Sequence, residues 1–479
     1  MISPPHFRAS ARVLVTLTFI YLFGFGSRGL NEPDEGRYVN IALEMLEPGQ
    51  DKWDPQLSDV GHYDKPPLIY WATALSLQLG GHRESAARFP SLLGAVMTLI
   101  GIFWAGYRLY GQRTAWLALW MSGTLLHIWA LSRLLSPDML LCGCCTLAIA
   151  AWAETRHRQK ACPFYVLQVF FWVLAWWTKA TPALVPFAGL TLYTLISKNP
   201  IDRKALRPAT TFALILLLGS PWYIYIIWKH PELTDFFFKR ELAGRITGHE
   251  DGRRGILGFH LFVALLVWLP WWPYVVFQRF RERGRRSLQG LFILKNLKME
   301  GFMVCFGLLV FSCISSKLPT YILTLSPWAT LLMARQLPQG KFPWFPGLAA
   351  IVLYLSFSSI APRYETSLDK NSSMKLLCKT LENENAQTLI SLRHFSGLEF
   401  YWPEEDILYL VDAPIQNTED LGKVAGHFFK NPELIENLPD KSWVLVLERD
   451  LKKLQNWDTV LQRDQEIHQG NFLLIPLSI

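Results

Sequence analysis

The stretch AARFPSLLGAVMTLIGIFWAGYR, residues 86–108, is one of a series of long apolar runs in this chain. Its only charged residues are Arg88 near its start and Arg108 at its end. Its length falls within the range of about 17–25 residues that a helix needs to cross roughly 30 Å of hydrocarbon. The stretch therefore predicts a membrane-spanning helix.

Similar runs recur through the first three quarters of the sequence and predict an α-helical polytopic membrane protein. We count about eleven spans: 13–29, 86–108, 114–131, 137–153, 163–178, 182–197, 208–228, 257–277, 301–315, 319–335 and 343–361. The first run follows Arg8 and Arg12, as in a secretory signal peptide, but no small-x-small cleavage site follows it. We interpret it as a retained first span.

The composition agrees with a bilayer as the solvent. Of 479 residues, 51% are hydrophobic and only 18% are charged, whereas soluble proteins carry about a quarter charged residues. The net charge is +8, but the basic residues lie in short gaps between apolar runs and form no stripe with interleaved aromatic residues. A soluble globular protein and a nucleic-acid-binding protein are therefore both excluded.

The positions of Lys and Arg predict the orientation. With the N-terminus inside, the basic gaps 156–160, 198–207 and 279–298 all fall on the cytoplasmic side, where such residues are enriched. The segments 30–85 and 229–256 then lie on the opposite, extracytoplasmic face. Within the first of these segments, two short apolar stretches at 38–46 and 67–79 favour helices that lie along the membrane surface.

The chain leaves the membrane after residue 361. We therefore predict a transmembrane domain at 1–361, with a catalytic loop at about 30–85 on the extracytoplasmic side, and a small α/β domain at 362–479 on the same side. The C-terminal region contains 12 Lys and Arg against 19 Asp and Glu, a net charge of −7, which leaves +15 for residues 1–361. Four short runs in it are typical of β-strands: 388–392, 407–411, 443–447 and 472–477.

Charged residues at the edge of a membrane are costly and indicate function by default. Two segments of the first extracytoplasmic loop, NEPDEGRY at 31–38 and HYDKPPLIYW at 62–71, combine acids with a cation. Alternatively, Asp34 or Glu35 simply caps a helix, and Asp64 with Lys65 forms a salt-bridged turn.

These segments belong to an ordered set that resembles the aminoarabinose transferase branch of the protein O-mannosyltransferase superfamily. Members are polyprenyl-phosphate-dependent glycosyltransferases of the GT-C fold, and the resemblance covers nearly all of residues 13–335. The matching stretches are PDEGRY at 33–38, YDKPPLIYW at 63–71, AARFP at 86–90, SPDM at 136–139, WTKA at 177–180, PWY at 221–223, LPW at 269–271 and SSKLPTYIL at 315–323.

The resemblance implies a donor site for a sugar on a polyprenyl phosphate. The phosphate leaves with negative charge and must be held by cations and hydrogen-bond donors. The resemblance assigns Lys65 and Tyr321 directly to contacts with the donor phosphate. It assigns Arg245 less directly, because the loop that contains Arg245 matches the family less closely. Further candidates for contacts with the headgroup are Arg37, Glu35, Lys179 and His62. For Lys179 and Arg37, structural pairing with Asp138 or Glu35 explains the charge about as well as contact with the headgroup does.

The resemblance also implies a catalytic acid at Asp34, supported by Asp138 and Asp64. A carboxylate helps an attacking hydroxyl by accepting its proton; an acceptor phosphate is already ionised, so the carboxylate would orient it instead. One carboxylate without a nucleophilic partner favours direct displacement with inversion.

A divalent metal ion is the one cofactor that the resemblance raises. In the aminoarabinose branch, an acid at the position of Asp64 binds the ion together with a loop histidine. Here Leu242 stands where that histidine is expected, and His249 is the candidate substitute; the alternative is a solvated loop histidine.

The sequence thus predicts a membrane glycosyltransferase that acts as a monomer in the inner membrane, with a periplasmic active site. The sugar, an amino sugar such as aminoarabinose, would pass from a polyprenyl-phosphate (undecaprenyl-phosphate) donor to lipid A or a related envelope glycolipid. Two alternatives stay open: a protein O-mannosyltransferase-like enzyme, and a transporter or flippase for the carrier lipid. Transporters tend to show internal repeats, and we find none in the sequence.

Overall fold

The structure is a computed structural model. It describes residues 4–57, 60–158, 162–197, 199–237, 258–283, 298–314, 317–338, 342–360, 374–391, 395–402, 407–409, 441–447, 461–462, 465–469 and 472–477.

Helices dominate the first three quarters of the chain. They are α1 (Pro4–Leu22), α2 (Asp34–Glu44), α3 (Leu68–Gly80), α4 (Glu84–Tyr110), α5 (Gln112–Gly123), α6 (Leu126–Leu131), α7 (Pro137–His157), α8 (Cys162–Thr178), α9 (Ala180–Ile196), α10 (Pro200–Leu206), α11 (Pro208–Gly219), α12 (Pro221–Lys229), α13 (Leu233–Asp235), α14 (Phe259–Val267), α15 (Trp271–Arg283), α16 (Met299–Cys313), a 3₁₀ helix (Pro319–Leu325), α17 (Ser326–Gln336) and α18 (Trp344–Ile360). A two-stranded ribbon of β1 (Gln56–Leu57) and β2 (Val60–Gly61) precedes α3.

Several of these helices have the length and composition of membrane spans. Among the described residues, α4, α7 and the run Pro200–Lys229 pass both criteria, and α14 with α15 passes as one span bent by 76°. Four more apolar helices are shorter: Ser10–Leu22, α3, α16 and α18. The helical membrane-type fold is confirmed, while the count of eleven spans stays a prediction.

Two compact units make up the chain, and each is described by itself. One comprises residues 1–23, 64–69 and 89–356; the other comprises 24–63, 70–88 and 357–479. The second unit groups most of the predicted loop 30–85 with residues 357–479. The division into domains at residue 361 stays a prediction.

Helix α7 lies at the centre of the first unit, with every side chain from Pro137 to Thr155 buried. Its approach to α4 depends on glycines. A Cβ on Gly94 would lie 2.5 Å from the backbone of Met139, and one on Gly143 would lie 2.6 Å from the carbonyl oxygen of Gly94. Small residues allow helix backbones to approach closely in membranes, so these two glycines allow α7 to occupy the core.

The C-terminal region of the second unit contains a five-stranded mixed sheet. Its elements are α19 (Met374–Asn383), β3 (Thr388–Ser391), α20 (Leu398–Tyr401), β4 (Ile407–Tyr409), β5 (Ser442–Leu447), β6 (Ile467–Gln469) and β7 (Phe472–Pro476). The strand order is β4-β3-β5-β7-β6, with β3 parallel to β4 and β5, and β7 antiparallel to β5 and β6. Each of the four predicted β runs coincides with a strand. Helix α19 packs its apolar side on this sheet through Leu377 and Leu381, beside Leu389 and Leu445.

Candidate active site

The N-terminal end of α7 presents a buried ion pair. Ser136 is extended, Pro137 opens the helix and Asp138 lies in the first turn, where the helix dipole favours a carboxylate. Lys179 lies in the extended link between α8 and α9, and its Nζ is 2.7 Å from Oδ1 of Asp138. Both residues are more than 90% buried. Each charge is thereby neutralised by the other at the end of the most deeply buried helix.

Tyr321 extends this group. It lies in the 3₁₀ helix, is buried, and has its ring centroid 6.0 Å from Nζ of Lys179, within the range of a cation–π contact. Three residues that we predicted from separate motifs, Asp138, Lys179 and Tyr321, therefore come together in the first unit.

His260 also contacts Tyr321, and the sequence reasoning missed it. The two rings are stacked with centroids 6.0 Å apart, and Nε2 of His260 lies 3.2 Å from the carbonyl oxygen of Leu318. Its Nδ1 is buried without a hydrogen-bond partner among the described residues. An isolated histidine within an otherwise apolar run, 257–277, is a sequence signal that could have identified it.

Asp64 and Lys65 belong to the same unit and lie just before α3. Both are half-buried, and Nζ of Lys65 donates a hydrogen bond to the carbonyl oxygen of Asp64 at 3.0 Å. The lysine ammonium is thus held close to its own backbone turn.

The second unit contains the acids at the start of α2, which differ sharply from each other. Asp34 is 78% exposed and forms a 2.9 Å ion pair with Arg37, one turn along the helix. Glu35 is buried and accepts two hydrogen bonds from Arg88, at 2.8 and 2.7 Å. It also accepts the backbone N–H of Asn31 at 3.0 Å. Asp34 is therefore open to a ligand, while Glu35 is engaged within the protein.

Arg88 completes this buried pair. Beyond Glu35, its guanidinium donates to the carbonyl oxygens of Arg28 and Gly29, at 2.6 Å each. A bidentate Arg–carboxylate pair with further backbone acceptors satisfies a buried charge. The turn that precedes α2 is thus fixed to the start of α4.

His62 is 2% exposed. Its ring makes an edge contact with Tyr70 at 6.3 Å, and its backbone N–H donates to the carbonyl oxygen of Pro55 at 2.8 Å. The neighbouring Tyr63 donates to Asp54 at 2.7 Å. These contacts order the chain immediately before Asp64.

The remaining two candidates, Arg245 and His249, lie outside the described residues. In the part of the chain that the structure describes, no three His, Cys, Asp or Glu residues are grouped as a metal site would require. Asp64 and His249 therefore stay a predicted pair of metal ligands.

Comparison with known proteins places this geometry in context. A family model described as dolichyl-phosphate-mannose-protein mannosyltransferase matches residues 64–225, a range that includes Asp64, Lys65, Asp138 and Lys179. The undecaprenyl phosphate-alpha-4-amino-4-deoxy-L-arabinose arabinosyl transferase of Yersinia pestis (strain Pestoides F) is 28% identical over 335 residues, 68% of this chain and 59% of that protein. The transferase of the same name from Enterobacter sp. (strain 638) is 26% identical over the same length. This chain therefore spans about three fifths of the length of the curated relatives it matches.

Solved structures agree over a larger part of the chain. The crystal structure of ArnT from Cupriavidus metallidurans in the apo state matches with a TM-score of 0.74 and 18% identity, covering 98% of both chains. The same protein bound to undecaprenyl phosphate matches with a TM-score of 0.74 and 17% identity, covering 97% of both.

The chain has the GT-C glycosyltransferase fold. The resemblance predicted from the ordered motifs is confirmed by the family model, the curated relatives and the solved structures together. Within this GT-C fold, Asp34 and Tyr321 lie outside the range matched by the family model, so their roles depend on the motifs and on the contacts described above.

Proposed function

We propose that this protein is an integral-membrane glycosyltransferase that moves a sugar from a polyprenyl-phosphate carrier to lipid A or a related envelope glycolipid. The observation that carries the proposal is the buried group of Asp138, Lys179 and Tyr321, which unites three of the motifs shared with the transferases. The donor would be an undecaprenyl-phosphate amino sugar such as aminoarabinose, as the names of the curated relatives suggest.

The charged residues have different roles in binding the donor. Lys179 is already neutralised by Asp138, so this pair adds no net positive charge for a phosphate. Lys65 and Arg245 therefore supply the cations that stabilise the departing phosphate, and the Tyr321 hydroxyl donates a hydrogen bond to it. The Asp138 carboxylate fixes the position of the Lys179 ammonium, whose remaining N–H donors are available to the headgroup.

Asp34 serves the acceptor. Its exposure leaves the carboxylate accessible, and its ion pair with Arg37 orients it. It receives the proton of an attacking hydroxyl or, with an ionised lipid A phosphate, aligns the nucleophile through Arg37. Attack from the face opposite the phosphate displaces it in one step and inverts the anomeric carbon.

The site lies on the periplasmic face of the inner membrane in this proposal, and the chain works as a monomer with about eleven spans. A divalent ion held by Asp64 and His249 would add positive charge beside Lys65. The variants Asp64→Asn and His249→Ala would then both weaken activation by added Mn²⁺ or Zn²⁺.

Transfer from a labelled carrier tests the proposal. Asp34→Asn and Lys65→Ala should each lower the turnover number at least 100-fold, which corresponds to about 2.7 kcal/mol of lost transition-state stabilisation. Glu47→Gln and Lys52→Ala, exposed residues of the same segment, are the matched controls and should retain activity. Near wild-type turnover in both test variants would exclude the assigned roles.

The acceptor separates the alternatives. The match to a protein mannosyltransferase model makes O-mannosylation the second candidate, and mass spectrometry would then find the new sugar on secreted proteins and not on lipid A. A flippase would be favoured by two results together: the wild type transfers no sugar, and the Asp34→Asn variant still flips the carrier lipid across the membrane.

A further inference from the structure

Among the described residues, a short segment of the C-terminal region contacts α2, the helix that bears Asp34, and the turn before it. This docking segment, residues 395–402, includes α20 and belongs to the same compact unit as α2. Three hydrogen bonds between described residues join the segment to α2 and to the turn before α2. Gly397 N–H donates to the carboxylate of Glu32, Leu30 N–H donates to the Tyr401 hydroxyl at 2.8 Å, and the side-chain amide of Asn40 donates to the carboxylate of Glu399.

These bonds lie on both sides of Asp34 along the chain. Leu30 and Glu32 precede it, and Asn40 follows it by more than one turn of α2. Asn40 is 4% exposed, so its bond to Glu399 is shielded from competing water. The segment thus fixes the entry to the helix and its second turn, while the carboxylate between them stays exposed.

The backbones also approach closely at a pair of glycines. A Cβ added to Gly36 would lie 2.8 Å from Cα of Gly397, and one added to Gly397 would meet the Glu32 carboxylate. Real Cβ atoms do not come so near to backbone atoms, so a side chain at position 36 would push the docking segment away from the first turn of α2. A side chain at position 397 would displace the Glu32 carboxylate.

The docking segment is itself held by the C-terminal sheet. Leu398 and Trp402 lie in the hydrophobic cluster formed with β3, β5 and β7. The Tyr401 hydroxyl donates to Glu84 at 3.3 Å, and Glu84 accepts from Lys375 at 2.6 Å. Burial and the Glu84 carboxylate raise the pKa of Tyr401 above its usual range, so the phenol keeps the proton that it donates.

We infer that the docking segment positions the catalytic acid: Gly397, Glu399 and Tyr401 act through α2 to set the place and direction of Asp34. They are positioning residues, since none of them contacts Asp34 in the described structure. The inference rests on the proposed transferase function, and it assigns the C-terminal region a role in the reaction.

Enzyme kinetics on the full-length protein provide the first test. With undecaprenyl-phosphate aminoarabinose as donor and lipid A as acceptor, Tyr401→Phe and Glu399→Ala should lower kcat about tenfold, because small misplacements of a reacting group cost at least this much. The KM for the donor should change less than twofold. Glu399→Gln, whose amide oxygen still accepts from Asn40, should restore most of the activity. Glu384→Ala, an exposed residue beside α19, is the matched control.

Non-additivity with Asp34 is the sharper criterion. In an Asp34→Asn background, Tyr401→Phe should cause no further loss, because its effect acts through that carboxylate. A second tenfold loss in the double variant, or kcat within twofold of wild type in both single variants, would overturn the inference.

Hydrogen exchange separates this inference from the transferase assignment. In Glu399→Ala and Tyr401→Phe, amides of residues 34–44 should exchange at least fivefold faster, while those of α7 and the Glu384→Ala control stay unchanged. A further outcome is that the wild type transfers no sugar while amides of α2 still exchange faster in the Glu399→Ala and Tyr401→Phe variants. In that case the proposed substrate is wrong, but the docking segment still holds α2 in place. Unchanged exchange in α2 would overturn the positioning role whatever the activity.

Discussion

At the scale of single residues, neighbouring acids in one motif have opposite environments. Asp34 and Glu35 are both candidates from the sequence, where the resemblance implies Asp34 as the catalytic acid and Glu35 as a headgroup contact, but composition alone does not separate them. The structure pairs Glu35 with Arg88, a residue 53 positions away, and leaves Asp34 78% exposed beside Arg37. We therefore expect the stability of the protein to depend on Glu35 and its catalytic activity to depend on Asp34.

Removing the buried acid should destabilise the protein. Glu35→Ala leaves the Arg88 guanidinium buried without its counter-charge, which costs about 3–5 kcal/mol of the free energy of unfolding. Asp34→Asn breaks only an exposed pair, which contributes about 1 kcal/mol or less, so its melting temperature should match that of the wild type while its activity is lost.

Thermal unfolding in detergent, followed by tryptophan fluorescence, distinguishes the two variants. The double variant Glu35→Leu with Arg88→Met should recover part of the loss, because no buried charge is then left unpaired. Equal melting temperatures for Glu35→Ala and Asp34→Asn would contradict the assignment of Glu35 to a structural pair.

The ordered motifs identify candidate residues and one of their ion pairs, Lys179 with Asp138, but not the other partners. Lys65, Asp138, Lys179 and Tyr321 could be named from ordered motifs because each motif is a local pattern. The stacking of His260 on Tyr321 and the bonds from Arg88 depend on contacts between distant parts of the chain, about which a local pattern has no information.

At the scale of elements, apolar runs predict where helices occur but not where they bend. The run 137–153 corresponds to one helix, α7, with its start at the predicted residue. The run 257–277 is instead two helices with a 76° bend between them, and 319–335 begins with a 3₁₀ helix. Pro270 lies between the two helices of the first run and Pro319 opens the 3₁₀ helix of the second, and proline has no backbone donor. Hydropathy reports only the length of apolar chain.

The crossing of α4 and α7 should be sensitive to one added methyl group. Gly94→Ala and Gly143→Ala each place a Cβ within about 2.6 Å of the facing backbone, and overpacking of this kind costs about 1–3 kcal/mol. Because Asp138 and Lys179 depend on the position of α7, activity should fall together with the melting temperature.

Val96→Leu is the matched control for this crossing. It enlarges a side chain on α4 that is 42% exposed and should change neither quantity. Wild-type melting in both alanine variants would show that the helices do not pack through these glycines.

At the scale of the whole molecule, charge is segregated along the chain. Residues 1–361 have a net charge of +15 and the C-terminal region has −7. The gaps that we place in the cytoplasm contain most of the positive excess, so the same residues predict orientation. The proposed chemistry needs the other face, because Lys65 and Asp34 lie in segments on the opposite side of that topology.

Cysteine labelling tests this orientation directly. In a background where the exposed native residues Cys162, Cys305 and Cys313 are replaced by serine, Glu47→Cys should react with a membrane-impermeant maleimide in intact spheroplasts. Arg203→Cys, in a basic gap, should react only after permeabilisation. Both positions are exposed in the structure, so a difference in labelling reports sidedness and not burial. The reverse pattern would place Asp34 and Lys65 in the cytoplasm, where an envelope glycolipid facing the periplasm could not serve as acceptor, and the proposed function would fail with the topology.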